Sequence, residues 1–106
     1  MRDPANGTYP VVWPHSEKAV EVKPLAKRLD RLDGKKVAFL WDYLFRGDEI
    51  WAMLQEELPR RHPGMRFVGY EEFGSTHGDE EHRVLADLPA KLKALEIDAV
   101  VSGMGC

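Results

Sequence analysis

Ile97-Asp98-Ala99-Val100-Val101-Ser102-Gly103-Met104-Gly105-Cys106 is a run of β-branched and small apolar residues that ends on two glycines and the single cysteine of the chain. A short apolar run closed by Gly reads as a buried parallel strand passing into a tight turn. In open α/β sheets the chemistry sits outside the carboxyl ends of the strands, so a site is expected at this turn. A helix packing back on the sheet should follow, and the sequence stops instead. The expectation is an incomplete α/β domain.

Upstream, Lys36 to Asp42 is a continuous apolar run suited to a strand covered on both faces. Tyr43 to Gly47 then reads as a loop, with Asp48 placed to cap a helix striped by Ile50, Trp51, Leu54 and Leu58. Pro59 and Pro63 should end or kink that helix. Met65 to Glu72 has the mixed pattern of a second strand near a sheet edge. After the turn-rich loop Phe73 to Gly78, Asp79 is placed to cap a second helix, with Glu80 and Glu81 on the favourable side of its dipole. Val84, Leu85, Leu88, Leu92 and Leu95 recur at helical spacing, and Pro89 should kink or restart the helix. Alternating strands and helices with right-handed crossovers predict a partial doubly wound parallel sheet. It has three strands in the order 2-1-3 and two main helices.

Residues 1–24 carry Pro4, Pro10, Pro14 and Pro24 and the turn signal Asn6-Gly7, so they read as an extended N-terminal arm. Tyr9, Val11, Val12 and Trp13 could pin it on the sheet or on another subunit. Residues 25–106 form the incomplete α/β domain. Within them Leu25, Leu29 and Leu32 have helical spacing, which predicts a one-sided turn or short helix stopped by Asp33-Gly34.

The 106 residues suffice for one domain with a modest core. A net charge of -3 offers no basic face for nucleic acid or anionic lipid, so neither is expected as a partner. No apolar run suggests a membrane span or a signal peptide, and a cytoplasmic protein is expected. One cysteine cannot close an internal disulfide.

Four groups of residues are candidates for chemistry. Gly103-Met104-Gly105 could turn backbone N–H groups toward a phosphate, but the third glycine of a dinucleotide fingerprint is missing and the position after strand three is wrong for one. Asp42 and Arg46, at the exit of strand one, would lie beside strand three. Arg46 could meet an anionic substrate group while Asp42 orients it or takes a proton; the favoured reading is structural, with Asp48 as a cap, Arg46 solvated and Tyr43 and Phe45 packed. His77, Asp79, Glu80, Glu81 and His82 include potential metal ligands, yet a spacing of five does not put both histidines on one helical face, and no metal is expected. Ser75 and Ser102 lack a nucleophile elbow. An Asp-centred phospho-receiver is disfavoured because Asp42 stands alone.

The segment Leu25-Ala26-Lys27-Arg28-Leu29-Asp30-Arg31-Leu32-Asp33-Gly34-Lys35-Lys36-Val37-Ala38-Phe39-Leu40, with Asp98 to Cys106 far downstream, resembles the UGSC-motif family. These are small α/β proteins named for a selenocysteine-or-cysteine, Gly, Ser, Cys motif. In that family a strand ending in Gly-x-Gly leads, after one further residue, into the motif; here Cys106 fills that first place. For an intact member the resemblance implies thiol exchange or peroxide reduction. A sulfur or selenium at a helix start has its anion stabilised, and two such groups can close a small ring. Cys106 is the catalytic candidate on this view, with Asp42, Arg46, Gly103 and Gly105 around the substrate and no cofactor. Without a following helix, the chain as written favours reading Cys106 as an exposed thiol of nearly ordinary acidity over a catalyst.

Two hypotheses follow. The first is a fragment of a thiol- or selenol-dependent oxidoreductase-like domain, cut before its redox motif, acting on a small-molecule or thiol substrate. The second is a non-catalytic α/β subunit or small-ligand-binding module completed by another chain or a second copy, because strand three should leave one apolar side unpaired. Selenocysteine is encoded by UGA, so a selenocysteine codon after Cys106 would end the reading prematurely; a shortened chain or a natural half-protein are the rivals. Translation past the terminator in the same frame is expected to show Gly-Ser-Cys and then a helical pattern. A frame shift or unrelated sequence refutes this.

Overall fold

A computed structural model describes residues 7–15 and 20–105 of the chain. Its elements run β1 (Lys36–Trp41), α1 (Gly47–Arg61), β2 (Arg66–Val68), a 3-10 turn (Tyr70–Glu72), α2 (Glu81–Ala94) and β3 (Ala99–Gly103). The strands form one parallel sheet in the order β2-β1-β3, the doubly wound order expected from the alternation of elements. In register, Val37 faces Phe67 on β2 and Ala99 on β3, and Trp41 faces Gly103.

β1 occupies the centre because its side chains are apolar on both faces, as a strand covered by helices requires. Alternation sends Phe39 and Trp41 to one face, where they pack with Trp51 of α1 and with Phe45, Leu54, Phe67 and Tyr70. Ala38 and Leu40 face the other way, onto Phe73 and the α2 stripe of Leu88 and Leu92, with Leu95 and Ile97 beyond it. The Phe39 and Trp51 rings stack at 4.8 Å, which adds about 0.5–1.5 kcal/mol beyond the area buried.

Several local expectations are corrected. β1 ends at Trp41, so Asp42 already belongs to the loop. β2 is only three residues long, because the chain leaves the sheet at Gly69 and coils through the 3-10 turn that brings Tyr70 against Phe39 and Trp41. Asp48 does not cap α1; the cap is Arg46, without a side-chain hydrogen bond, and Asp48 lies in the first turn beside Glu49. The helix starts two residues early, with Gly47 packed on the Trp41 indole, where any Cβ would collide with the ring. Asp79 does not cap α2 either: Glu80 occupies the cap, and its carboxylate pairs with Arg83 at 2.5 Å instead. Pro59 and Pro89 lie inside continuous helices. At Pro89 the usual cost of about 3 kcal/mol is offset by apolar contacts on both sides, Val84 being buried before it and Leu92 packed after it. The Leu25 to Leu32 stretch is not helical, since Leu25 is 81% exposed and has no surface to pack its face against.

β3 is not the buried strand expected. It is an edge strand among the described residues, with Val100 and Val101 exposed by 40% and 37%. An open apolar side of strand three is present, as anticipated.

Gly47→Ala should lower the unfolding free energy by about 1–3 kcal/mol, the usual cost of overpacking, and this is read from the denaturant midpoint. An unchanged or higher midpoint would show that the Trp41 indole moves aside freely.

Candidate functional site at the carboxyl ends of the strands

The exits of all three strands meet around Asp42. The loop after the 3-10 turn returns to the sheet as Ser75, which bridges Trp41 in parallel fashion, and Thr76 donates its N–H to the Trp41 carbonyl at 3.2 Å. On the other side the Asp42 N–H donates to the Gly103 carbonyl at 3.2 Å. Asp42 is thus flanked by both neighbouring chain segments and is only 1% exposed.

A carboxylate in that position must be hydrogen-bonded, and it is. Oδ1 accepts the Leu44 N–H at 3.0 Å, an Asx turn that supports Tyr43 at φ 65°. Oδ2 accepts the Gly105 N–H at 2.6 Å. Charge-assisted bonds of this kind are worth about 1.5–3 kcal/mol each, so Asp42 acts as a clamp across the crevice between β1 and the segment leaving β3. The Ser75 hydroxyl lies within 3.2 Å of the Asp42 carbonyl and 2.8 Å of the His77 carbonyl, and its single proton serves one of them at a time. The buried Thr76 hydroxyl donates to Met104 Sδ at 3.6 Å, which ties the same two loops together again.

Both glycines of Gly103-Met104-Gly105 are needed for close approach to aromatic rings. A Cβ on Gly103 would lie 2.9 Å from the Phe39 ring, and one on Gly105 would lie 2.8 Å from the Phe45 ring. The Gly105 N–H is engaged by Asp42, so it is not offered to a phosphate. The turn is a packing device.

Trp41, Tyr43 and Tyr70 form an aromatic wall beside the clamp, with Tyr43 and Tyr70 centred 4.6 Å and 4.8 Å from Trp41. Loss of hydration and the Glu71 carboxylate raise the Tyr43 phenol above the ordinary tyrosine value. Tyr70 is raised by the same two causes, with Asp48 and Tyr43 adding to them. Among the described residues the buried Trp41 indole N–H finds no acceptor, a local cost of about 1–3 kcal/mol.

Of the residues expected at the site, Asp42, Gly103 and Gly105 are brought together. Arg46 stands at the start of α1 with its side chain 82% exposed and paired with Glu49 at 2.6 Å. Cys106 lies outside the described residues, one position beyond the clamped Gly105. Among the described residues no three His, Cys, Asp or Glu side chains converge as a metal site, and no helix is long and apolar enough to cross a membrane. Ser75, Thr76 and the wall of Trp41, Tyr43 and Tyr70 were not expected at the crevice. Trp41 and Tyr43 flanking Asp42 were the available signal.

The family model described as the UGSC family matches residues 10–106. The chain belongs to the UGSC family. In this UGSC-family chain the matched range includes the whole sheet, both helices and the clamp, and it begins at Pro10, inside the stretch expected as an arm. No curated protein and no solved structure matches the chain.

Asp42→Ala should cost about 2–3 kcal/mol of stability by leaving buried N–H donors unpaired, and urea unfolding measures it. A loss under about 0.5 kcal/mol would mean that water replaces the carboxylate. The raised phenols favour the neutral, folded form. Their contribution is whole below the ordinary tyrosine pKa and is lost as pH rises through the higher folded values. Absorbance at 295 nm should therefore show tyrosine ionisation extending above about pH 10, and Glu71→Gln should draw it downward. An unchanged curve in Glu71→Gln contradicts the assignment.

Proposed function

We propose that this UGSC-family chain belongs to a thiol- or selenol-dependent oxidoreductase whose reactive centre follows Gly105 at the carboxyl end of the sheet. The single observation that carries this is the 2.6 Å bond from the Gly105 N–H to Asp42 Oδ2, which fixes the backbone immediately before Cys106 in the crevice. The crevice is the location in open α/β sheets where chemistry collects.

In the proposed step the Cys106 thiolate attacks one sulfur of a substrate disulfide. A new S–S bond forms, the old one breaks, and the displaced sulfur leaves as a thiolate and takes a proton. A second thiol or selenol then attacks the Cys106 sulfur of the mixed disulfide, forms a bond to it, and expels the remaining half of the substrate as a thiolate that takes a proton. The net result is reduction of the substrate disulfide by two electrons at the expense of the thiol pair. Asp42 is a positioning residue in this scheme, acting through the backbone. The substrate is a small-molecule disulfide or the disulfide form of a thiol, and the aromatic wall of Tyr43 and Tyr70 supplies an apolar side to the pocket. A cytoplasmic setting, where thiols are kept reduced, accords with such a role.

A second reading, a non-catalytic subunit or ligand-binding module completed by another chain, draws on the exposed Val100 and Val101 of β3.

The test is reduction of a model aromatic disulfide and of hydrogen peroxide by the protein expressed from its full reading frame. Replacing every motif thiol or selenol, Cys106 included, should abolish turnover, and Asp42→Asn should slow it by about tenfold or more with thiol content unchanged. Turnover that survives loss of all these groups removes the redox assignment.

A further inference from the structure

We propose that residues 27–35, ahead of β1, form a binding cleft for a small, multiply charged phosphate-class anion. The cleft has a volume of about 540 Å³ and is lined by Lys27, Arg28, Leu29, Asp30, Arg31 and Lys35. That volume suits a small-molecule ligand. Four cationic side chains against one carboxylate make it strongly positive, on a chain whose net charge is -3. The overall charge balance conceals this local excess.

The cationic groups are also uncommitted. Among the described residues Lys27, Arg28, Arg31 and Lys35 make no ion pair, whereas Arg46, Arg60 and Arg83 each pair with a carboxylate three or four residues away. Like charges gathered without counter-charge repel one another, and an anion of high charge density relieves that repulsion. Two guanidinium forks match phosphate oxygens in pairs, and ammonium groups add point charge.

The Lys35 end of the cleft is tied to the fold. The Gly34 N–H donates to the Pro63 carbonyl at 3.0 Å, the Lys35 N–H to the Leu32 carbonyl at 3.1 Å, and the Arg66 N–H to the Lys35 carbonyl at 2.9 Å. Gly34 adopts φ 71°, which the turn between Leu32 and Lys35 requires. The site lies at the opposite end of β1 from Asp42, about 20 Å away at the usual rise per strand residue, so it is independent of the redox proposal.

Sodium tripolyphosphate is the probe, titrated into the full chain and followed by amide chemical shifts at low and at high salt. Saturable shifts confined to residues 27–35 and their neighbours across the Gly34–Pro63 contact are expected, weakening as salt rises. Arg28→Gln with Arg31→Gln should weaken binding at least about tenfold, while Arg60→Gln leaves it unchanged. These side chains are exposed, and far-UV circular dichroism confirms that the variant folds. Absence of saturable shifts, or equal affinity in the double variant, overturns the proposal. Binding to phosphatidylglycerol vesicles without any response to tripolyphosphate also overturns it, since the surface would then serve a membrane.

Discussion

A buried carboxylate that receives backbone N–H groups from two different loops sets the terms for the rest of this structure. Asp42 follows the central strand directly, so its position is fixed by the most apolar stretch of the chain. Its two oxygens then fix what comes next: one shapes the turn at Tyr43 and Leu44, the other holds Gly105. Removing a carboxylate from water is costly unless such donors are present, so the clamp and the closeness of the two loops require each other. The close packing of Gly103 and Gly105 on Phe39 and Phe45 follows from the same approach.

The sheet itself was legible because its signals are continuous. The apolar run from Lys36 to Trp41 has no helical period, the stripes of α1 and α2 have no strand period, and the glycine-rich exit of β3 marks a strand end. Three short connections and the handedness of parallel crossovers then leave essentially one strand order. Helix starts were less legible, since Asp48 and Asp79 have the right chemistry for caps while α1 starts already at Gly47 and Glu80 takes the cap of α2. Propensity names a residue within a turn of the boundary; a tertiary contact such as Gly47 on Trp41 selects the residue.

At the site, Asp42 and the two glycines could be named in advance because a doubly wound sheet puts the exits of adjacent strands side by side. Ser75 and Thr76 could not, because their place depends on the chain leaving β2 after only three residues and returning to the sheet. Arg46 illustrates the opposite case: an arginine next to the crevice in sequence finds a nearer carboxylate in Glu49, three residues along its own helix. Sequence adjacency to a site is weaker than hydrogen-bonding adjacency.

The clamp holds the backbone on the amino side of Cys106. Its most direct measurement is the scalar coupling across the hydrogen bond between the Gly105 amide nitrogen and the Asp42 carboxylate carbon in isotope-labelled protein. A resolved correlation, with the Gly105 amide proton shifted downfield, is the expected result. No correlation, together with a Gly105 amide that exchanges with solvent as fast as an unstructured peptide, contradicts the account.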